Sequence, residues 1–274
     1  MPSGRITRFC EHSDMAPLSH PILVLVPGAS QSPSHYAYLL HLLQSKGYGT
    51  LSALLPSTGS NAPPVTAQDD TDYVRSRMLL PVLDVEEHNV ILITHSYSGM
   101  PGSAAAKGLG KADRVAQKKK TSILGQIFLS ALIPKGGDGK DVTAMFGGQM
   151  PPHIVVDEAE NMLKCPNPKP PLYQDVPEET AEVAVASCMN PCLSSWTTPC
   201  PPASWDEQAF QGRCAFIRTT QDQCIPYDIQ NMMIESTKQE WILKDLDSGH
   251  CPQLSQPERL ADIILELVNH FETM

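Results

Sequence analysis

Short apolar runs alternate along the chain with segments in which apolar residues recur at helical spacing. The runs occupy residues 22–26, 48–55, 89–94, 124–133, 214–219 and 240–246. The first, ILVLV, ends at Pro27-Gly28 and is typical of a strand buried on both faces of a parallel sheet. The alternation predicts an α/β fold: a mostly parallel, six-stranded sheet with right-handed crossovers, flanked by helices.

Three helices are well marked. Residues 36–46 form an amphipathic segment that Gly47 ends, and residues 67–83 form another. The start of the second is acidic, as the helix dipole favours, with Asp69, Asp70 and Asp72. The last helix follows Pro257 and has an apolar face made of Leu260, Ile263, Ile264, Leu267 and Val268.

Residues 135–210 break this alternation. The segment is rich in proline, has few strand-like runs and contains one helical piece around 177–190. A long insertion between two strands of a sheet is most simply a cap folded over the strand ends. No internal repeat or long linker divides the chain. We therefore expect residues 1–274 to form a single domain, with a cap insertion at about 135–210.

Charge and composition narrow the class of partner. The net charge of −10 is spread along the chain, and the one dense basic run, Lys118 to Lys120, is interpreted as a solvated loop. A distributed negative surface repels nucleic acid and anionic lipid. No segment approaches the roughly 20 apolar residues of a membrane span, and residues 1–20 lack the apolar stretch of a secretory signal. We therefore expect a cytoplasmic protein that binds neither nucleic acid nor membranes.

The eight cysteines are expected to be free thiols or small buried residues in a reducing compartment. Cys188, Cys192 and Cys200 lie close together but lack the paired C-x2-C spacing of a zinc site. No metal is therefore predicted.

The most informative motif is a serine between a strand and a helix. The run 89–94 leads into His95-Ser96-Tyr97-Ser98-Gly99 and then into a segment of small residues. A strand, a tight turn centred on serine and a helix form the geometry of a nucleophile elbow, in which the hydroxyl projects above the sheet edge. A serine in such a place is usually only a helix N-cap, so the assignment depends on partners elsewhere in the chain.

A serine nucleophile needs a base to take its proton and a third group to orient that base. His250 follows the last strand-like run, and Asp222 follows the run 214–219. Both therefore emerge at the sheet edge where Ser96 is expected, and the loops can converge there. The sequence predicts Ser96, Asp222 and His250 as a catalytic triad.

Other carboxylates and histidines are less well placed. Asp228 falls in the helix after the 214–219 run, and Asp245 and Asp247 are too close to His250 in sequence to approach its ring from the usual direction. His95 is next to the serine, but adjacent side chains at a strand end point apart. A packing or orienting role is therefore expected for His95.

Two backbone amides complete the predicted site. Gly28 follows the first strand and allows a sharp turn that would leave the Ala29 amide free. The Tyr97 amide, at the start of a helix, would be the second donor to a developing oxyanion. The alternative interpretation is that Pro27-Gly28 only ends the first strand and has no part in a site.

Together these segments resemble the α/β-hydrolase superfamily, and within it the small single-domain group of plant methyl-ester esterases, hydroxynitrile lyases and their fungal relatives. The segments that carry the resemblance are 23–36, 93–102, 221–226 and 246–258, and the cap is the least similar part. The resemblance implies the chain order Ser, Asp, His for the triad. It assigns Ser96 as nucleophile, His250 as base, Asp222 as its partner, and Ala29 and Tyr97 as oxyanion donors.

Three positions depart from the family pattern. Pro27 stands where many relatives have histidine, and Thr94 and Ser98 replace the glycines that flank the serine. No catalytic atom is lost, but the elbow must accommodate two side chains larger than glycine.

The expected reaction is hydrolysis of a carboxylic ester of a small, largely apolar metabolite through an acyl-enzyme on Ser96, with no cofactor or metal. The resemblance also allows a C–C bond lyase on the same triad, of the hydroxynitrile-lyase or retro-Claisen type. A non-catalytic small-molecule receptor is a third interpretation. We expect a small-molecule substrate, leave a homodimer open, and place the chain in secondary metabolism on the resemblance alone.

Overall fold

The computed structural model describes residues 20–60 and 63–274. Residues 1–19 lie outside the described residues. They include Cys10 and all but His20 of the segment that is expected to lack a secretory signal. No helix of the described part is long and apolar enough to cross a membrane.

The centre of the molecule is a six-stranded sheet in which every neighbouring pair of strands is parallel. Its strands are β1 (Ile22–Val26), β2 (Thr50–Ser52), β3 (Val90–His95), β4 (Ile123–Leu129), β7 (Cys214–Thr219) and β8 (Ile242–Leu246). Their order across the sheet is β2-β1-β3-β4-β7-β8. The predicted α/β fold with a six-stranded parallel sheet is confirmed.

Helices cover both faces of this sheet. They are α1 (Ala37–Ser45), α2 (Ala67–Tyr73), α3 (Leu80–Asp84), α4 (Gly99–Ala105), α5 (Lys111–Ala116), α6 (Lys169–Tyr173), α7 (Glu178–Ala186), α8 (Ser194–Thr197), α9 (Tyr227–Thr237), α10 (Pro252–Ser255) and α11 (Pro257–Thr273). Alternate residues of β1 enter two separate cores. Leu23 and Leu25 pack with residues of α1 and α11, while Val24 and Val26 pack with residues of α2 and α4. This double burial explains the uninterrupted apolar runs of the central strands.

Three predicted strands are longer than the observed ones, although the run 240–246 loses only its first two residues. The run 48–55 pairs only at Thr50–Ser52, and the run 124–133 is a strand only over Ile123–Leu129. Ser130 ends β4, because its φ of 43° is in the left-handed region, which a strand cannot contain. The predicted helix 67–83 consists of α2 and α3 joined by a π-helical turn, Val74–Leu79.

The proline-rich insertion lies between β4 and β7. It contains an antiparallel pair of short strands, β5 (Val155–Asp157) and β6 (Met162–Lys164), as well as α6, α7 and α8. Side chains near its middle contact two loops at the C-terminal edge of the sheet. Gln174 donates from Nε2 to the Gln221 carbonyl oxygen (2.7 Å), and the Gly249 amide donates to Asp175 Oδ2 (2.7 Å).

Candidate active site

Ser96 occupies a sharp turn between β3 and α4. Its φ is 56°, a left-handed conformation that is strained for a residue with a side chain. A 3₁₀ turn over Ser96–Ser98 leads into α4. The turn therefore has the strained strand-to-helix geometry that exposes a serine hydroxyl at the end of a sheet.

The two elbow positions that lack glycine are accommodated in different ways. The methyl group of Thr94 fills the space beside Gly102, where any Cβ would collide with it. Ser98 is buried, and its hydroxyl accepts from the His95 amide (2.9 Å) and donates to the Val26 carbonyl oxygen (2.8 Å). One larger side chain is thus matched by a glycine in the following helix, and the other forms hydrogen bonds that hold the turn to β1.

A hydroxyl, an imidazole and a carboxylate form one hydrogen-bonded row at this turn. His250 Nε2 lies 3.0 Å from Ser96 Oγ, and His250 Nδ1 lies 2.8 Å from Asp222 Oδ2. The side chains of His250 and Asp222 are 2% and 0% exposed. The structure therefore brings together the three residues named from the sequence.

The charges of this pair shift both pKa values. Burial alone would raise the pKa of Asp222, but the charge of His250 and hydrogen bonds from His250 and Ser130 hold it at about 2. Burial would lower the pKa of His250, whereas the Asp222 carboxylate raises it well above its ordinary value. His250 is therefore a stronger base than a free imidazole, with an ionised partner behind it.

The other acidic candidates are engaged elsewhere. Asp228 lies in α9, and Asp245 accepts hydrogen bonds from Arg218 Nε (2.7 Å) and Nη2 (2.9 Å). Asp247 accepts from Thr220 Oγ1 at 2.9 Å.

Asp222 is held by donors that the sequence did not reveal. Its Oδ2 accepts from the Ser130 hydroxyl and from Thr219 Oγ1 (2.8 Å), and its Oδ1 accepts from the amides of Cys224 and Ile225, both at 2.8 Å. Ser130 is the residue whose positive φ ends β4, so the same backbone distortion aims its hydroxyl at the carboxylate. An apolar run that contains one serine gives no signal of this role.

His95 joins the two loops that flank the serine. Its Nε2 is 2.8 Å from the His250 carbonyl oxygen, and its Nδ1 is 2.6 Å from the Tyr36 hydroxyl. A carbonyl oxygen can only accept, so Nε2 carries the proton and Nδ1 is an acceptor. The single proton of the Tyr36 hydroxyl lies between Nδ1 and Gln31 Oε1. The Tyr36 hydroxyl also accepts from the Gly28 amide (3.0 Å). Burial lowers the pKa of His95 to about 3, so the ring stays neutral while it connects these loops.

The two amides named as oxyanion donors come from Ala29, on the loop after β1, and from Tyr97, directly after Ser96. Ala29 lines the cavity beside Ser96, and within the described chain its N–H donates to no protein group. Tyr97 is the second residue of the 3₁₀ turn, where amides precede the first intrahelical hydrogen bond. The Ala29 amide thus has no protein acceptor among the described residues.

A buried carboxylate supports the Tyr97 side chain. Asp70 is 0% exposed, and it accepts from the Tyr97 hydroxyl (2.9 Å), the Ser57 hydroxyl (2.6 Å) and the Ser57 amide (3.0 Å). Burial raises the pKa of Asp70 to about 6, against the opposing effect of these hydrogen bonds. Asp69, by contrast, forms the capping box of α2 with Thr66. The predicted dipole role therefore describes Asp69, whereas Asp70 points inward.

A cavity of about 50 Å³ opens beside Ser96 and His250. The inserted segment provides one side of it, through His153, Ile154, Cys165, Leu172 and Trp196. Trp196 stacks on Tyr97, with ring centroids 5.8 Å apart. Its buried Nε1–H has no hydrogen-bond partner among the described residues. A larger cavity of about 420 Å³ lies elsewhere, and none of the three residues of the hydrogen-bonded row lines it.

A model of the alpha/beta hydrolase family matches residues 23–263. The chain belongs to this family and is an α/β-hydrolase enzyme.

Its relatives come from fungi and plants. The chain is 25% identical to "Probable hydrolase R7" of Phoma sp. over 256 residues, which cover 91% of this chain and 99% of that protein. It is 23% identical to "Alpha/beta hydrolase nvfD" of Aspergillus novofumigatus over 248 residues (89% and 95%). It is 24% identical to "Methylesterase 7" of Arabidopsis thaliana over 251 residues (84% and 89%). The resemblance to plant methylesterases and fungal relatives is confirmed.

Solved structures show the same fold. A pyrethroid hydrolase from Sphingobium faniae JZ-2 superposes with a TM-score of 0.69 at 20% identity, covering 92% of this chain and 98% of that one. Polyneuridine aldehyde esterase superposes with a TM-score of 0.65 at 19% identity, covering 90% and 99%.

Proposed function

We propose that this enzyme hydrolyses a carboxylic ester of a small, largely apolar molecule through an acyl-enzyme on Ser96. The observation that carries the proposal is the continuous hydrogen-bonded row from Ser96 Oγ through the His250 ring to the Asp222 carboxylate. A serine hydroxyl becomes a competent nucleophile when such a base takes its proton and a third group orients the base.

Each proposed step uses a group already in place. His250 Nε2 takes the Ser96 proton as Oγ attacks the ester carbonyl, and Asp222 stabilises the imidazolium that forms. The Ala29 and Tyr97 amides donate to the oxyanion of the tetrahedral intermediate. The imidazolium then protonates the leaving alcohol. His250 next activates a water that releases the acid and frees Ser96.

The inserted segment is proposed to act as the cap that selects the substrate. Residues from it line the cavity, and its apolar members Ile154, Leu172 and Trp196 suit an apolar acyl or alcohol group. The cavity of about 50 Å³ holds only a few heavy atoms.

The test is turnover of p-nitrophenyl esters by the full chain, with Ser96→Ala as the variant and Ser45→Ala as its matched control. Ser45 is an exposed residue at the end of α1. We expect Ser96→Ala to lower kcat by about 10³-fold or more and Ser45→Ala to leave it unchanged. Equal turnover by wild type and Ser96→Ala would exclude the proposal.

Covalent labelling tests the nucleophilicity of Ser96, and the kinetics of product release separate hydrolysis from the lyase alternative. A fluorophosphonate should label Ser96 in wild type and label nothing at that site in Ser96→Ala. A hydrolase working through an acyl-enzyme turns over the ester, and it releases a burst of p-nitrophenol in the first turnover when deacylation is the slower step. Labelling of Ser96 without a burst or any ester turnover would favour a lyase that uses His250 as base.

A further inference from the structure

A second nucleophilic side chain lines the same cavity and has no part in the proposed ester hydrolysis. Cys224 is a half-buried free thiol on the loop after β7. Its amide donates to Asp222 Oδ1 (2.8 Å), so the loop holds the thiol beside the site. The Sγ atom lies 3.5 Å from Nε2 of His153, which comes from the inserted segment. Thiol and imidazole therefore meet in the cavity, one from the loop after β7 and one from the inserted segment.

The surroundings of Cys224 favour a thiolate. Burial would raise the pKa of the thiol, but the charge of His250 and hydrogen bonding with His153 lower it to about 7. Cys165 lines the same cavity without such partners, and there burial raises the pKa of the thiol to about 11. The chain thus offers two thiols in one cavity with opposite chemical environments.

We propose that Cys224 and His153 form a second reactive site, which takes a soft electrophile of the α,β-unsaturated carbonyl class by conjugate addition. His153 Nε2 takes the thiol proton, and Sγ attacks the β-carbon, so that an S–C bond forms as the C=C π bond breaks. The enolate is then protonated at its α-carbon by the His153 imidazolium. The net change is addition of S–H across the double bond, with no oxidant or further reactant.

The adduct would fill the space beside His250 and Ser96, because all of these residues line one small cavity. Covalent modification at Cys224 would therefore block access to Ser96. The addition itself does not depend on Ser96 attacking an ester, so its outcome is independent of the proposed hydrolysis.

The test uses acrylamide, a small α,β-unsaturated amide, on the full chain at pH 7, with peptide mass spectrometry to follow each cysteine. We expect Cys224 to react at least about tenfold faster than Cys165, because its larger thiolate fraction outweighs the lower nucleophilicity of a more acidic thiol. Equal rates at the two thiols, or a faster reaction at Cys165, would overturn the proposal.

Three variants sharpen the result. His153→Gln should slow acrylamide addition at Cys224 several-fold and leave Cys165 unchanged; an unchanged rate at Cys224 would remove His153 from the site. Ser96→Ala should react at Cys224 as wild type does.

After acrylamide treatment, Ser96 of wild type should resist a fluorophosphonate, whereas Ser96 of Cys224→Ser should still be labelled. Blocking that persists in Cys224→Ser would show that another residue is responsible. The wild-type comparison of Cys224 with Cys165 stands alone if a variant does not fold.

Discussion

The cavity beside Ser96 has two unlike sides. The rear wall is the network of buried side chains behind Ser96 and His250, made of Asp222, Ser130, Thr219, His95 and Tyr36, of which only His95 lines the cavity itself. Each side-chain nitrogen and oxygen atom of this network has a hydrogen-bond partner. The front wall, made of His153, Cys165, Leu172 and Trp196, comes from the inserted segment. It contains the unpaired Trp196 Nε1–H and a thiol with a raised pKa.

This difference separates two tasks. The rear wall holds the proposed base and its carboxylate in one geometry, because losing any partner leaves a buried polar group unsatisfied at a cost of about 1–3 kcal/mol. The front wall leaves the Trp196 Nε1–H without a partner among the described residues. We therefore assign the chemistry to the rear wall and the choice of ligand to the front wall, and the following changes test that division.

The largest effect is expected from Asp222→Asn, which breaks the rear wall. The amide cannot accept at every position where the carboxylate does, and it favours the wrong tautomer of His250. We expect kcat for a p-nitrophenyl ester to fall about 10³- to 10⁴-fold while the fold remains intact. Asp228→Asn in α9 is the control and should behave as wild type. A loss below tenfold would mean that the rear wall does not orient the base.

Asp70→Asn should have an intermediate effect, which is expected in the pH dependence of stability. It measures the free-energy cost of a buried charge near the rear wall. The folded-state pKa of about 6 exceeds the ordinary value of 3.8, so the folded chain binds this proton more tightly than the unfolded chain. The free energy of unfolding should therefore fall as pH rises from about 4 to about 6, by at most about 3 kcal/mol. Asparagine cannot ionise, so this part of the slope should disappear.

Urea unfolding at several pH values measures the slope directly, with Asp72→Asn as control. Asp72 lies on the same helix but is exposed. A slope that is the same in wild type and Asp70→Asn would show that Asp70 does not carry it.

The smallest effect is expected from Trp196→Phe, which sharpens the description of the front wall. Phenylalanine keeps the stack on Tyr97 but removes the unpaired N–H. The test compares two esters that differ only in a second acceptor oxygen. Wild type should have the lower KM for the ester that carries this oxygen, and Trp196→Phe should reduce the difference in KM several-fold with kcat little changed. A preference that survives the substitution would assign that contact to another group.

The central strands could be predicted from the sequence because they are buried on both faces and leave continuous apolar runs, whereas the edge strands β2 and β8 are only partly buried. Ser96, Asp222 and His250 could be named because each follows such a run directly. Ser130 could not, since its role depends on one backbone angle at the end of β4. Asp70 was assigned to the helix dipole because periodicity does not show which acidic residue of a first turn points inward. Cys224 lies at the sheet edge, and His153 lies in a segment without regular periodicity. Their contact therefore could not be predicted from spacing along the chain.

The contact between Thr94 and Gly102 has a consequence for how such enzymes are found. The family pattern has glycine two residues before the serine, whereas here the room is provided by Gly102 in α4, the other partner of the same contact. A search that demands glycine on both sides of the serine passes over this chain. Replacing Gly102 by alanine should harm this protein more than it would harm a relative with glycine at the position of Thr94, so the two sites are expected to change together over evolution.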